Sequence, residues 1–342
     1  MSNLIKKHLS PDGKWRNCKA RSQEDCKYKN NQHFEGTQEE FEKTEKQINT
    51  KQYGILPKYN IKERKPQNKY IRDFGVTDCS AVRYDVDDTL KKYLDKKGYL
   101  AAEREELHKN VIDKIFENKV PPKTQPIFTI MGGGPASGKS SILKKEFNLL
   151  TLPEGNVTLN ADDVKEEIPE YKEGIFSEDE KMRLKAAATA HAESSALTKR
   201  VLNIAVDNKF NTTLDGTGNG SVEALVKKIS KAKEAGMRVE GHYVTIPTNK
   251  AVQRSHERYL RGVVSGEGGR AVPETILRKI HKNVSDILPQ TAHLFDKVVL
   301  YDNDVPRGEK PILIATGGAG QSLKPVKDQE KRYESFLQKA NE

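Results

Sequence analysis

Residues Ile127–Leu143 read IFTIMGGGPASGKSSIL, an apolar run that breaks into glycines, then a Lys-Ser pair, then helix-forming residues. The register Gly133-x-x-x-x-Gly138-Lys139-Ser140 satisfies the spacing of a phosphate-binding loop. Such a loop must turn several backbone N–H groups onto one polyphosphate, which needs positions without a Cβ and a helix start whose amides face the anion. Gly133, Gly134, Pro135, Ala136, Ser137, Gly138, Lys139, Ser140 and Ser141 are therefore the expected nucleotide site. Lys139 is expected on the β- and γ-phosphates and the Ser140 hydroxyl on Mg²⁺. A glycine-rich stretch can merely turn a chain. Here strand, loop, Lys-Ser and helix occur in the required order, with Ile127–Met131 predicted as strand and Ser141–Phe147 as helix.

Outward from the loop, strand and helix patterns alternate. Predicted strands lie near Asn156–Leu159, Thr212–Leu214, Val239–Ile246, Lys297–Tyr301 and Ile312–Ala315. Between them fall helices: a long alanine-rich one over Glu178–Lys209, then Val222–Ala235 stopped by Gly236, Thr248–Arg261, and Glu274–Phe295. Upstream, Leu107, Val111, Ile112, Ile115 and Phe116 form one stripe of a helix that Val120-Pro121-Pro122 ends. Alternation of this kind predicts an α/β fold with a mostly parallel sheet covered by helices on both faces. With the phosphate loop, that is the three-layer P-loop NTPase kinase fold. Ligands gather beyond the carboxyl ends of such strands, and Asn160–Asp163, Asp215–Asn219 and Pro247-Thr248 all sit there with the loop.

At 342 residues the chain can bury a proper core, yet a charged content of 32% and a mean hydropathy of −0.78 leave part of it peripheral. No apolar run is long enough to span a bilayer and Met1–Ser10 lacks a secretory apolar core, so no membrane association and a cytoplasmic location are expected. Cys18, Cys26 and Cys79 are few and odd in number, which fits a reducing compartment. His8, Cys18, Cys26 and His33 lack the short C-x₂-C clip of a zinc site. The formal charge of +10 fits nucleic acid, an anionic surface or phosphorylated small substrates, but the cations are scattered rather than gathered in one aromatic-studded stripe. Nucleic acid is an open partner and not the favoured one. Residues 1–98 read as a basic, partly irregular extension, with a charged helix over Gln38–Gln52. Residues 99–320 read as the kinase domain and 321–342 as a charged tail, helical or disordered.

Phosphoryl transfer needs positioning and charge neutralisation more than covalent chemistry: Mg²⁺, a carboxylate to take the acceptor proton, and mobile cations over the transferring group. Asp162 is placed to be that carboxylate and Asp163 is its rival, while either can simply cap the following helix. Asp215 is placed to hold the metal ion's water or the substrate, or to serve as a turn residue before Gly216. Thr217 and Asn219 share that turn and face substrate in the functional reading. Arg254, Arg258, Arg261 and Arg270 frame Gly262–Gly269, which suits a closing lid and equally suits helix-surface residues.

With these residues in place, the chain resembles the zeta-toxin family of phosphate-loop kinases. The resemblance rests on GGGPASGKSS, LNADDVKEEIPEY, HAESSALTKRVLNIAVDNKFNTTLDGTGN, HERYLRG and GRAVPE in that order, across about Gln125–Asp304. The preceding helix EREELHKNVIDKIF is similar to that of the phage and actinobacterial branch, and HLSPDGKWRNCKA resembles a leader of some phage-derived proteins. The resemblance implies phosphorylation of a sugar hydroxyl of UDP-N-acetylglucosamine, or of a related small molecule, from ATP or GTP with Mg²⁺. It implies Lys139 on the phosphates, Ser140 on the metal, Asp162 as base, and Arg258 and Arg270 as lid arginines. His191 and Glu193 match an H-x-E-S element that faces the substrate, or are ordinary polar residues of a helix. Asn160 where many members have a carboxylate and Asn219 in place of a frequent Arg are departures that bear on the acceptor.

Three readings follow. The first is a small-molecule kinase of zeta-toxin type, toxic to its host and blocked by a small antitoxin. The second is a polynucleotide or nucleotide kinase. The third is a phage or mobile-element structural or delivery protein whose loop binds nucleotide without turnover.

Overall fold

A computed structural model of the chain describes residues 5–9, 15–17, 33–36, 70–72, 82–84, 88–95, 99–218, 220–266 and 272–341. The chain divides into two compact units, Met1–Glu63 with Asp95–Glu117, and Arg64–Leu94 with Asn118–Glu342. In the first, Ile5–Leu9 is the middle strand of an antiparallel sheet between Trp15–Asn17 and His33–Gly36. The same unit holds the predicted helix as Ala102–Phe116, with Val111, Ile112 and Phe116 buried. The expected helix at Gln38–Gln52 and the side chains of His8, Cys18, Cys26 and His33 lie outside the described residues.

The second unit is built on a seven-stranded sheet. Its strands are β1 (Ile127–Gly132), β2 (Val157–Asn160), β3 (Thr212–Asp215), β4 (Arg238–Thr245), β5 (Lys297–Asp302), β6 (Ile312–Gly318) and β7 (Gln321–Pro325). They lie in the order β7-β6-β5-β4-β1-β3-β2, with β1 to β5 parallel and β6 and β7 antiparallel. The near-continuous apolar character of β1 has its reason in this order: the strand hydrogen-bonds to β3 on one side and β4 on the other and is covered on both faces. The chain leaves β1 towards one side and returns to the other, so its carboxyl end is a topological switch point where a crevice must open.

The helices that follow β1 in this unit are α1 (Ala161–Glu166), α2 (Pro169–Ile175), α3 (Glu180–Thr189), α4 (His191–Asp207), α5 (Val222–Glu234), α6 (Thr248–Ser265), α7 (Glu274–Thr291) and α8 (Glu330–Gln338). On one side of the sheet Met131, Val244, Val299 and Tyr301 enclose Ile142, which anchors the segment just after the phosphate loop. Ile246, Ala251 and Leu277 join the end of β4 to α6 and α7.

Three elements differ from the sequence expectation. Ser141–Phe147 is two short 3₁₀ turns, Lys139–Leu143 and Lys145–Phe147, rather than one helix. Ser141 explains the tighter winding, because both its amide (2.9 Å) and its hydroxyl (2.7 Å) donate to the Gly138 carbonyl three residues back, and Lys144 is extended. The long helix over Glu178–Lys209 is broken at Ala190 into α3 and α4, where Ile168, Tyr171, Ala186 and Ala190 pack together and fold α2 and α3 onto each other. The tail from Gln321 opens with a strand, β7, before α8. Among the described residues no helix is long and apolar enough to cross a membrane.

Candidate active site

Gly133 leaves β1 at φ +137°, and a Cβ there would collide with the Val244 carbonyl of β4. Gly138 closes the loop at φ +86°, and a Cβ there would strike the Asn303 side-chain amide. Both positions therefore demand glycine for conformation and for space. Between them Ala136 also takes a left-handed conformation, φ +58°, a strain that persists only where the surroundings fix it.

The loop is tied down on several sides. Gly133 N donates to Thr217 O (3.0 Å) and Gly216 N to Met131 O (3.1 Å), which fastens the loop to the turn after β3. Asn303, just past β5, donates from Nδ2 to Ser137 O at 2.9 Å. His281 of α7 lies 3.0 Å from Pro135 O through Nε2, and since a carbonyl only accepts, that nitrogen carries the proton. Burial pushes the His281 pKa down to about 4, against the smaller opposing effect of that hydrogen bond, so the ring is a neutral donor. The sequence pattern passed over His281, which is one polar residue on an amphipathic helix. Asn303 stands at a strand end on the same sheet edge as the loop, and that was the signal available for it.

Around the loop the expected residues converge. Lys139 Nζ turns back onto Gly133 O at 3.2 Å. Asn160 N-caps α1 by accepting from Asp162 N (2.9 Å) and reaches Asp215 Oδ2 with its amide (3.4 Å). Asp162 Oδ1 pairs with Lys165 Nζ at 2.9 Å. Burial raises the Asp215 pKa, Lys139 opposes this by attraction, and repulsion from Asp162 adds to it. Lys139, Asp162 and Asp215 thus share one electrostatic field at the ends of β1, β2 and β3.

These groups line a cleft of 1810 Å³. Pro135, Ala136, Gly138, Lys139, Ser140 and Ser141 face it from the loop; Asp162, His191, Asp215 and Thr217 face it from the neighbouring edges. Arg254, Arg258 and Arg261 of α6 line it as well. Ser137 and Glu193 are fully buried, and Asp163 is not among the described residues of the lining, which separates it from Asp162. Asn219 and Arg270 lie outside the described residues. Among the described lining residues, eleven lysines and arginines stand against four carboxylates.

A site with a glycine-rich loop after a parallel strand, one lysine on that loop, a hydroxyl beside it and two carboxylates within its field can bind a polyphosphate and hold an acceptor hydroxyl against it. The fold resembles that of a chain in the AvrRxo1-ORF1:AvrRxo1-ORF2 complex, at 18% identity and a TM-score of 0.54 over 73% of this chain and 82% of that one. It also resembles a chain of the same complex with ATP, at 18% identity and a TM-score of 0.51 over 72% and 76%. A chain from the PezAT chromosomal toxin-antitoxin system of Streptococcus pneumoniae matches at 16% identity and a TM-score of 0.47 over 60% and 79%. No curated protein matches the chain. Residues 112–309, more than half of the sequence, match the family model described as Zeta toxin, and the chain, an ATP-dependent phosphate-loop kinase, belongs to that family.

Proposed function

We propose that this kinase transfers the γ-phosphate of ATP or GTP to a hydroxyl of a nucleotide sugar, UDP-N-acetylglucosamine or a close relative. The observation that carries the reading is the convergence of Lys139, Asp162 and Asp215 on one end of a cleft whose cations outnumber its carboxylates. A single triphosphate does not need eleven cations, so the surplus suits an acceptor that is itself anionic. Asp162 takes the acceptor proton as the hydroxyl oxygen attacks the γ-phosphorus, and the β,γ-bridging oxygen leaves with its electron pair on ADP. Lys165 orients the Asp162 carboxylate, and Lys139 neutralises charge on the phosphates.

Ser140 and Asp215 would hold Mg²⁺. They are oxygen donors and few, which fits an ion that keeps several waters and takes its remaining ligands from phosphate. Bound there, Mg²⁺ would neutralise charge developing on the β- and γ-phosphate oxygens. Arg258, which lines the cleft, would cover the transferring group, a role that the family resemblance also gives to Arg270. His191 and Thr217 complete the acceptor side in this reading, with Glu193 buried behind the wall and Asp163 outside the lining; Asn219 is assigned to it by sequence alone. A toxic action restrained by a small antitoxin over the nucleotide site follows from the family.

Incubation with ATP and UDP-N-acetylglucosamine, and separately with a 5′-hydroxyl oligonucleotide, tests the acceptor, with mass spectrometry reading a gain of one phosphate. The expected result is a phosphorylated nucleotide sugar, and loss of roughly 10²–10⁴-fold in turnover for Asp162→Asn with ATP affinity kept. Phosphate found only on the oligonucleotide would move the acceptor to nucleic acid. Undiminished turnover by Asp162→Asn would remove Asp162 as the base.

A further inference from the structure

The side-chain pairing between α4 and α5 changes character where it meets the cleft. On α4, residues 199, 203 and 207 recur every fourth position and share one stripe; on α5, 228 and 231 do the same at a spacing of three. At the far end of this seam Lys231 Nζ reaches Asp207 (2.9 Å) and Asn203 (2.9 Å), an ordinary complementary pairing. One turn closer to the cleft the complement is missing: Lys199 stands on α4 where Lys228 stands on α5, and both line the cleft. Neither has a carboxylate partner among the described residues, although the same helices show that such a partner can be placed on this seam. Lys228 is exposed as a residue, yet partial desolvation lowers the pKa of its ammonium, and repulsion from nearby Lys199 lowers it further. Two cations that repel each other on a cleft wall are costly to the empty protein and become favourable once an anion lies between them.

We infer that Lys199 and Lys228 form a second anion site, separate from the phosphate loop, that holds a phosphate or pyrophosphate group of the acceptor. The site lies on the helices that flank β3, whose end carries Asp215, so a group bound there belongs to the acceptor and not to the phosphates gripped by Lys139. The inference rests on the reading of the acceptor as a nucleotide sugar and assigns the residues that hold its pyrophosphate group. A free sugar offers nothing to this pair.

Inorganic pyrophosphate, titrated calorimetrically into full-length protein, is the direct probe, because it needs no turnover and does not depend on which acceptor the enzyme uses. Lys139→Ala disables the loop, and pyrophosphate binding to that variant is expected to persist. Adding Lys199→Gln or Lys228→Gln should weaken it about tenfold or more, as expected when one of two charge-assisted contacts is removed. With Lys139 intact, Lys228→Gln should bind a non-hydrolysable ATP analogue within about twofold of wild type, on the scale where a tenfold change is 1.4 kcal/mol. Absence of pyrophosphate binding in Lys139→Ala, or binding that both glutamine substitutions leave unchanged, overturns the second site. A protein that binds pyrophosphate in this way yet phosphorylates no nucleotide sugar would instead overturn only the identity of the acceptor.

Discussion

His281 is 3% exposed and donates to the Pro135 carbonyl, so its neutral form belongs to the folded loop. Its pKa falls from an ordinary 6.5 to about 4, chiefly through burial. Between those values the unfolded chain binds the proton and the folded one does not, so this contribution is complete above about 6.5 and is lost as pH falls towards about 4. His281→Gln keeps a donor for Pro135 O and removes the titration. Urea unfolding at pH 7.5 and pH 5 should show the wild type losing roughly 2 kcal/mol more than the variant across that interval. Equal losses would mean that His281 does not titrate as a buried group. At this scale the sequence spoke clearly for Gly133, Gly138 and Lys139, because their spacing from one another is itself the chemistry, and it left Asp162 and Asp163 as rivals. It was silent on His281, whose role exists only because α7 crosses behind the loop.

Among the elements, the C-terminal segment does more than a charged tail would. It lies beyond residue 309, where the family match ends, yet it reaches the strands that carry the site. Arg332 of α8 binds Asp302 Oδ2 (2.5 Å) at the end of β5, next to the Asn303 that holds Ser137. Lys339 is buried and donates to Thr245 Oγ1 (2.6 Å) and Ile246 O (2.5 Å), at the end of the β4 strand whose Val244 carbonyl fills the space that a Cβ on Gly133 would need. Lys339→Met leaves these acceptors without their donor and should cost about 1–3 kcal/mol in urea unfolding. ATP KM should rise more than kcat falls, because the loop loses its backing while Asp162 stays in place. An unchanged KM would confine Lys339 to a purely structural role. The strand β7 and the buried lysine escaped a reading in which Lys and Glu density pointed to a charged tail, helical or disordered, of which the helix is found as α8. Composition reports the exposed face of α8 and says nothing of the few residues turned inward.

For the whole molecule the consequence is electrostatic. A chain of net charge +10 concentrates part of that excess in one cleft, eleven cations against four carboxylates among its described lining residues. Anionic substrates should therefore be drawn in by the field, and kcat/KM for the nucleotide should fall roughly tenfold between about 50 mM and 500 mM salt as the Debye length contracts. A flat salt profile would show that the cations are neutralised locally and do not steer. The sequence by itself determined the phosphate loop, the alternation of strand and helix, and the family. Those depend on local periodicity and on spacings within a few residues, which a linear chain states directly. Only the tertiary structure decided that Lys139, Asp162 and Asp215 share one field, that His281, Asn303 and Lys339 brace the loop from distant segments, and that Lys199 opposes Lys228. Such pairings depend on strand order and helix crossing, and the free energy that fixes those is distributed over the packed core rather than written in any one stretch.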